Sequence, residues 1–116
     1  MVEKLDFKGF KDRVVVKREN CVVKFYSIMC PLCVALAPVY EEIAASHGDN
    51  LKFYKVDVDA EKNISKAMKF EGVPTLFLFH DGSYEEIPYP YDNPDSLTGY
   101  HKEGIISFIK EKVKLP

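Results

Sequence analysis

The 116 residues predict an α/β fold, a central mixed β-sheet with helices on both faces. Three observations lead there. Apolar segments switch between the two-residue and the 3.6-residue period in the order strand, helix, strand, helix, hairpin, helix. A βαβ half followed by a ββα half makes a sheet that is parallel in part and antiparallel in part. The length is that of one domain, 1–116, which buries roughly two-thirds of its unfolded surface without needing disulfides or a metal.

The elements follow in order. LDFKGFKDRVVVKREN is two-sided: Phe10 and Val14 have helical spacing, while Val14–Val16 are β-branched. CVVKFYS, Cys21–Ser27, is a strand with one charge. CPLCVALAPVYEEIAASHG is a helix from about Cys30 to His47, with Pro31 suited to its first turn and Gly48 ending it. Pro38 removes one backbone donor inside it and predicts a kink. LKFYKVDVD, Leu51–Asp59, alternates as a strand does. AEKNISKAMKFEG is a helix with Ile64, Ala67 and Met68 on one face and Gly72 as its stop. VPTLFLFHDGSYEEIP is a hairpin: Thr75–Phe79, an Asp81-Gly82 turn, then Tyr84–Ile87. YPYDNPDSLTG is a loop, and HKEGIISFIKEKV is an amphipathic helix turning Ile105, Phe108, Ile109 and Val113 inward. No repeat, linker or low-complexity stretch interrupts the series.

Composition narrows the function classes. The chain is 47% hydrophobic and 29% charged, with a net charge of −2, so no nucleic-acid footprint or anionic-membrane partner is expected. No apolar run nears the ~20 residues that span a bilayer. MVEKLDFKGF lacks the apolar segment of a secretory signal and VKLP is no retention signal, so the expectation is a cytoplasmic protein; a domain excised from a secreted protein would read the same. Three cysteines are too few for a disulfide scaffold.

Two of those three, Cys30 and Cys33, are separated only by Pro31 and Leu32. A strand delivers the chain to a helix start and Cys30 falls at the cap. There the unpaired backbone N–H groups and the positive end of the helix dipole favour its thiolate. Cys33 is three residues on, so the pair shares a face ~5–6 Å apart, within the Cα separation a disulfide tolerates. Cys33, one turn deeper, is the less exposed partner. A structural zinc site needs four ligands. Here there is no second C-x-x-C; Cys21 is ~20 Å away along its strand, and His47, His80 and His101 are scattered. No metal and no cofactor are expected, and zinc would require ligands shared between chains. A dithiol that opens and closes is the favoured reading.

FYSIMCPLCVALAP resembles the active-site segment of the thioredoxin superfamily, as found in thioredoxins and in the catalytic domains of protein disulfide isomerases. GVPTLFLFHDG resembles the same family's proline segment, and Pro38 and the distance between the two segments fit. The match runs from about Leu5 to Val113. The resemblance implies a thioredoxin fold, a helix over Gly9–Val16 despite its β-branched residues, and a cis Val73–Pro74 bond, although only about 5–6% of such bonds in folded proteins are cis. It implies thiol–disulfide exchange: Cys30 attacks, Cys33 resolves, and a substrate strand pairs beside Val73. The implied catalytic set is Cys30, Cys33, Pro74, Lys24 and Lys55, with Met29, Pro31, Leu32, Val73 and Gly99 against substrate. The implied partners of this expected monomer are disulfide-containing proteins and an unidentified dithiol reductase as electron donor.

The departures from the family pattern matter too. Met29 replaces tryptophan, and Pro-Leu replaces Gly-Pro or Gly-His between the cysteines. With no histidine there, no cationic side chain supports Cys30, which argues against a strong oxidant. Pro31 is similar to the first intervening residue of glutaredoxins and bacterial periplasmic oxidases. Compartment favours a reductase. Lys24 stands where thioredoxins carry a buried acid, with five residues between it and the motif, and Lys55 matches the family's nearby lysine. Two lysines in one dry pocket repel, so Lys24 is expected to snorkel to the surface or pair with Glu42; the alternative is a cation that favours the Cys33 thiolate. The loop Pro88–Gly99 is longer than in thioredoxins, either a tolerated insertion or a device that narrows the groove. Other functions to weigh are a redox-inactive peptide-binding module and a zinc-binding dimer.

Overall fold

The computed structural model describes residues 2–88 and 100–113. Its strands are β1 (Val2–Lys4), β2 (Cys21–Tyr26), β3 (Lys52–Asp57), β4 (Thr75–His80) and β5 (Ser83–Glu86). They form one sheet in the order β1-β3-β2-β4-β5. β1 and β2 flank β3 in parallel, and β4 runs antiparallel to both β2 and β5. The mixed sheet expected from the sequence is present, with one strand more: β1 is three residues long and too short for its period to be read.

The helices are α1 (Phe7–Phe10), which continues as a π-helical stretch over Lys11–Val16, then α2 (Pro31–His47), α3 (Lys62–Met68) and α4 (Lys102–Lys112). Asp6 caps α1 by accepting the Gly9 N–H at 2.8 Å. Val14–Val16 are therefore helical, as the resemblance implied and their propensity did not. Val14 is buried against Phe10, Cys21 and Phe25, and that packing outweighs a weak local preference.

Side-chain alternation on the central strands makes two cores. Val22, Phe53, Leu76 and Leu78 face α2 and α4 and pack on Leu36, Tyr40, Ile43, Ile105 and Ile109. Cys21, Val23, Phe25, Tyr54, Val56, Phe77 and Phe79 face the other way, under Phe10, Val14 and Ile64. Helices thus cover both faces. Phe108 and Val113 pack at the edge of the first core, as the last helix's pattern predicts.

Two boundaries differ from expectation. Gly72 does not end α3; Lys69 does, in the left-handed region at φ 54°. Ala67 is exposed rather than inward, because α3 is a short helix that buries Ile64 and half-buries Met68. The hairpin turn is as read: Asp81 and Gly82 both take positive φ, 51° and 79°, the pattern of a two-residue type I′ connection. Gly48 ends α2, and a Cβ there would lie 2.6 Å from the Ala44 carbonyl oxygen. Most of the long loop, 89–99 with Gly99, lies outside the described residues. No helix among the described residues is long and apolar enough to cross a membrane.

Candidate active site

Cys30 is the N-cap of α2, extended at φ −100° and ψ 114°, with Pro31 in the first turn. Its Sγ accepts the Cys33 backbone N–H at 3.2 Å, so the sulfur is placed among the helix's unpaired amides. The chain reaches this point through a pinned turn. Ser27 Oγ accepts the Met29 N–H and donates to Asp59 Oδ2 at 2.7 Å, while the Ser27 carbonyl accepts the Cys30 N–H. Asp57 Oδ1 in turn accepts the Asp59 and Ala60 N–H groups, which fixes the opposing loop.

Cys30 is half-buried and Cys33 buried, and the three cysteines are free thiols. Burial, first of all, and then the bond with the Cys30 sulfur push the Cys33 thiol up; the Ser27 backbone and the Lys24 charge act the other way. Cys21 is fully buried on β2, and burial raises it to about 12.

The Val73–Pro74 bond is cis, and the Val73 carbonyl oxygen lies 3.7 Å from Cys30 Sγ, accepting its S–H. Pro74 is buried and Val73 half-buried. Leu32, Val73, Pro74 and Thr75 line a groove of about 540 Å³ that continues past Phe70 and Tyr100. Met29 is 83% exposed and Pro31 also faces solvent. The structure thus brings Cys30, Cys33, Leu32, Val73 and Pro74 together.

Sequence reading passed over Ile28, which is 70% exposed beside Met29, and Val34, which is 63% exposed on the first turn of α2. Neither fits the inward face of an element, and that misfit is the signal that could have marked them. With Met29 they form an apolar rim next to a half-open sulfur.

Lys24 corrects the expectation. It neither snorkels nor pairs with Glu42: it is 3% exposed, and Glu42 takes Lys102 instead. The reason is register. Lys24 shares its face of β2 with Val22, under α2, on a central strand with no edge to reach. Its Nζ lies 5.0 Å from the Tyr40 ring centroid and 5.4 Å from that of Tyr26. Lys55 is its direct partner on β3, half-buried, with Nζ 5.8 Å from the Tyr26 ring. Burial first, then repulsion from Lys55, lower Lys24 to about 8. Among the described residues, no group of three or more His, Cys, Asp or Glu side chains could hold a metal ion.

The chain is similar to known proteins in both sequence and fold. The family model "Thioredoxin" matches residues 1–111. A thioredoxin of Mycolicibacterium smegmatis is 40% identical over 77 residues, covering 65% of this chain and 69% of its own. Protein disulfide-isomerase erp38 of Neurospora crassa is 36% identical over 107 residues, 90% of this chain but 27% of that longer protein. A mutant thioredoxin from Halobacterium salinarum NRC-1 superposes with a TM-score of 0.77 at 26% identity, covering 99% of this chain and 93% of the other. The chain belongs to the thioredoxin family.

Proposed function

We propose that this protein is a thiol–disulfide oxidoreductase that reduces protein disulfides through its Cys30-Pro31-Leu32-Cys33 dithiol. The observation that carries the reading is the sulfur of Cys30, half-open at a helix N-terminus, with Cys33 buried one turn behind it and the Val73 carbonyl alongside. Cys30 attacks as thiolate one sulfur of a target disulfide. The S–S bond breaks, one target sulfur leaves as thiolate, and a mixed disulfide forms. Cys33 then loses its proton and attacks Cys30, releasing the second target sulfur. Two electrons pass to the target, the departing sulfurs take up protons, and the dithiol ends as a disulfide. An external dithiol reductase returns it to the free thiols.

The groove beside Val73 and Pro74 is suited to an extended substrate segment, whose backbone would pair along Val73. Leu32, Met29 and Pro31 are then the side chains nearest the scissile bond. Insulin reduction in dithiothreitol tests the reading. The wild-type chain should accelerate precipitation of the insulin B chain well above the dithiothreitol background, and Cys30→Ser should return it to that background. A wild-type rate equal to background would leave a redox-inactive peptide-binding module instead.

A further inference from the structure

Lys24 is the least expected residue of the core. β2 is buried from Cys21 to Phe25, and a lysine in such a strand normally has a carboxylate or a route to solvent. Lys24 is 3% exposed, and no carboxylate of the described residues lies within ion-pair distance of its Nζ. What surrounds it is set by α2. Cys33, Leu36 and Tyr40 are the buried residues of that helix's first three turns, at spacings that put them on one face. Nζ sits 5.0 Å from Tyr40 and 5.4 Å from Tyr26, the last residue of β2 before the turn into Cys30. The cation therefore lies beneath the first three turns of α2, on the face that carries Cys33, and each charge acts on the other. The groups acting on it are Tyr26 on its own strand, Lys55 on β3, and Cys33, Tyr40 and Glu41 on α2.

We propose that Lys24 is a positioning residue for the resolving step: its buried ammonium stabilises the Cys33 thiolate that attacks the mixed disulfide. The inference rests on the proposed exchange reaction and adds the electrostatic partner of its second thiol. The two ring faces hold the ammonium without neutralising it, so the charge stays available to the one nearby group that must become an anion. The proton Cys33 gives up passes to solvent; Lys24 supplies field rather than a proton acceptor. As pH rises and Lys24 loses its own proton, the stabilisation fades, just where Cys33 ionises more readily by itself.

Two measurements separate this from a structural role. The first needs no turnover: in a Cys30→Ser background, the rate at which a small alkylating reagent modifies Cys33 is followed below pH 8, where Lys24 holds its proton, with Lys24 intact, with Lys24→Met and with Lys24→Arg. Lys24→Met should lower that rate, which tracks the thiolate fraction, by roughly tenfold, and Lys24→Arg should leave it near the parent's. The second is single-turnover resolution of the mixed disulfide from pH 6 to pH 10. Lys24→Met should be about tenfold slower than wild type on the acidic side and converge with it on the alkaline side, while Lys24→Arg should keep the wild-type rate on the acidic side. If both variants fail to fold, the wild-type resolution profile supplies the readout: its rise with pH should flatten through the Lys24 titration near pH 8 and resume above it. A Cys33 alkylation rate below pH 8 indifferent to Lys24→Met, or a wild-type resolution rate that climbs through pH 8 without flattening, overturns the proposal even if insulin is reduced. Failure of insulin reduction with these couplings intact overturns the exchange reaction instead.

Discussion

Lys24 also sets a stability balance at the scale of one residue. Its value in the folded chain is about 8, against an ordinary 10.5. Between those limits the unfolded chain binds more protons, so wild-type stability rises with pH there. Below pH 8 the folded chain carries the whole cost of a buried cation, offset in part by the Tyr26 and Tyr40 rings. Lys24→Met should then be more stable than wild type by on the order of 1–3 kcal/mol at neutral pH. The gap should narrow as pH climbs from 8 toward 10.5. Urea unfolding of the two proteins at several pH values checks it, and a variant less stable at pH 7 would contradict it. A residue that costs stability and is proposed to serve the resolving thiol fits the general trade between stability and a strained functional site.

At the scale of elements, what the sequence made legible was what packing and local propensity agreed on. β2, α2, β3, the β4–β5 hairpin and α4 were readable because each has one unbroken period and a matching turn residue. Val14–Val16 misled in the other direction: three β-branched residues sit in a helix because Val14 is buried in the core that holds Phe10 and Phe25. Lys24 was placed on the right strand but given the wrong environment, since the alternation that puts it beneath α2 fixes the face and says nothing of where the ammonium can go. The end of α3 was misplaced because a glycine stood three residues beyond a lysine that takes the left-handed turn itself. That lysine is a test of the reading. Lys69 at φ 54° holds a conformation that costs a side-chain-bearing residue roughly 1–2 kcal/mol, while glycine adds back some unfolded-state entropy. Lys69→Gly should raise the denaturant midpoint by a stability gain of up to about 1 kcal/mol with the slope unchanged. A lowered midpoint would mean that Lys69 contributes contacts that outweigh its backbone cost.

Taken as a whole molecule, the fold converges on one end of the sheet. β2 and the turn after it deliver Cys30; α2 supplies its amides and carries Cys33 inward; the segment before β4 brings Val73 and Pro74 alongside. Three stretches far apart in sequence must be correct together for a sulfur to be reachable and its partner hidden. The proposed exchange depends on a division between an attacking thiol, Cys30, and a resolving one, Cys33. The most direct measurement uses Cys33→Ser, incubated with a disulfide-bonded protein substrate and analysed by mass spectrometry without reductant. A stable mixed disulfide should accumulate, mapped to Cys30 alone, with Cys21 unmodified in its buried strand. No adduct, or an adduct that survives when Cys30 is also replaced by serine, would contradict it.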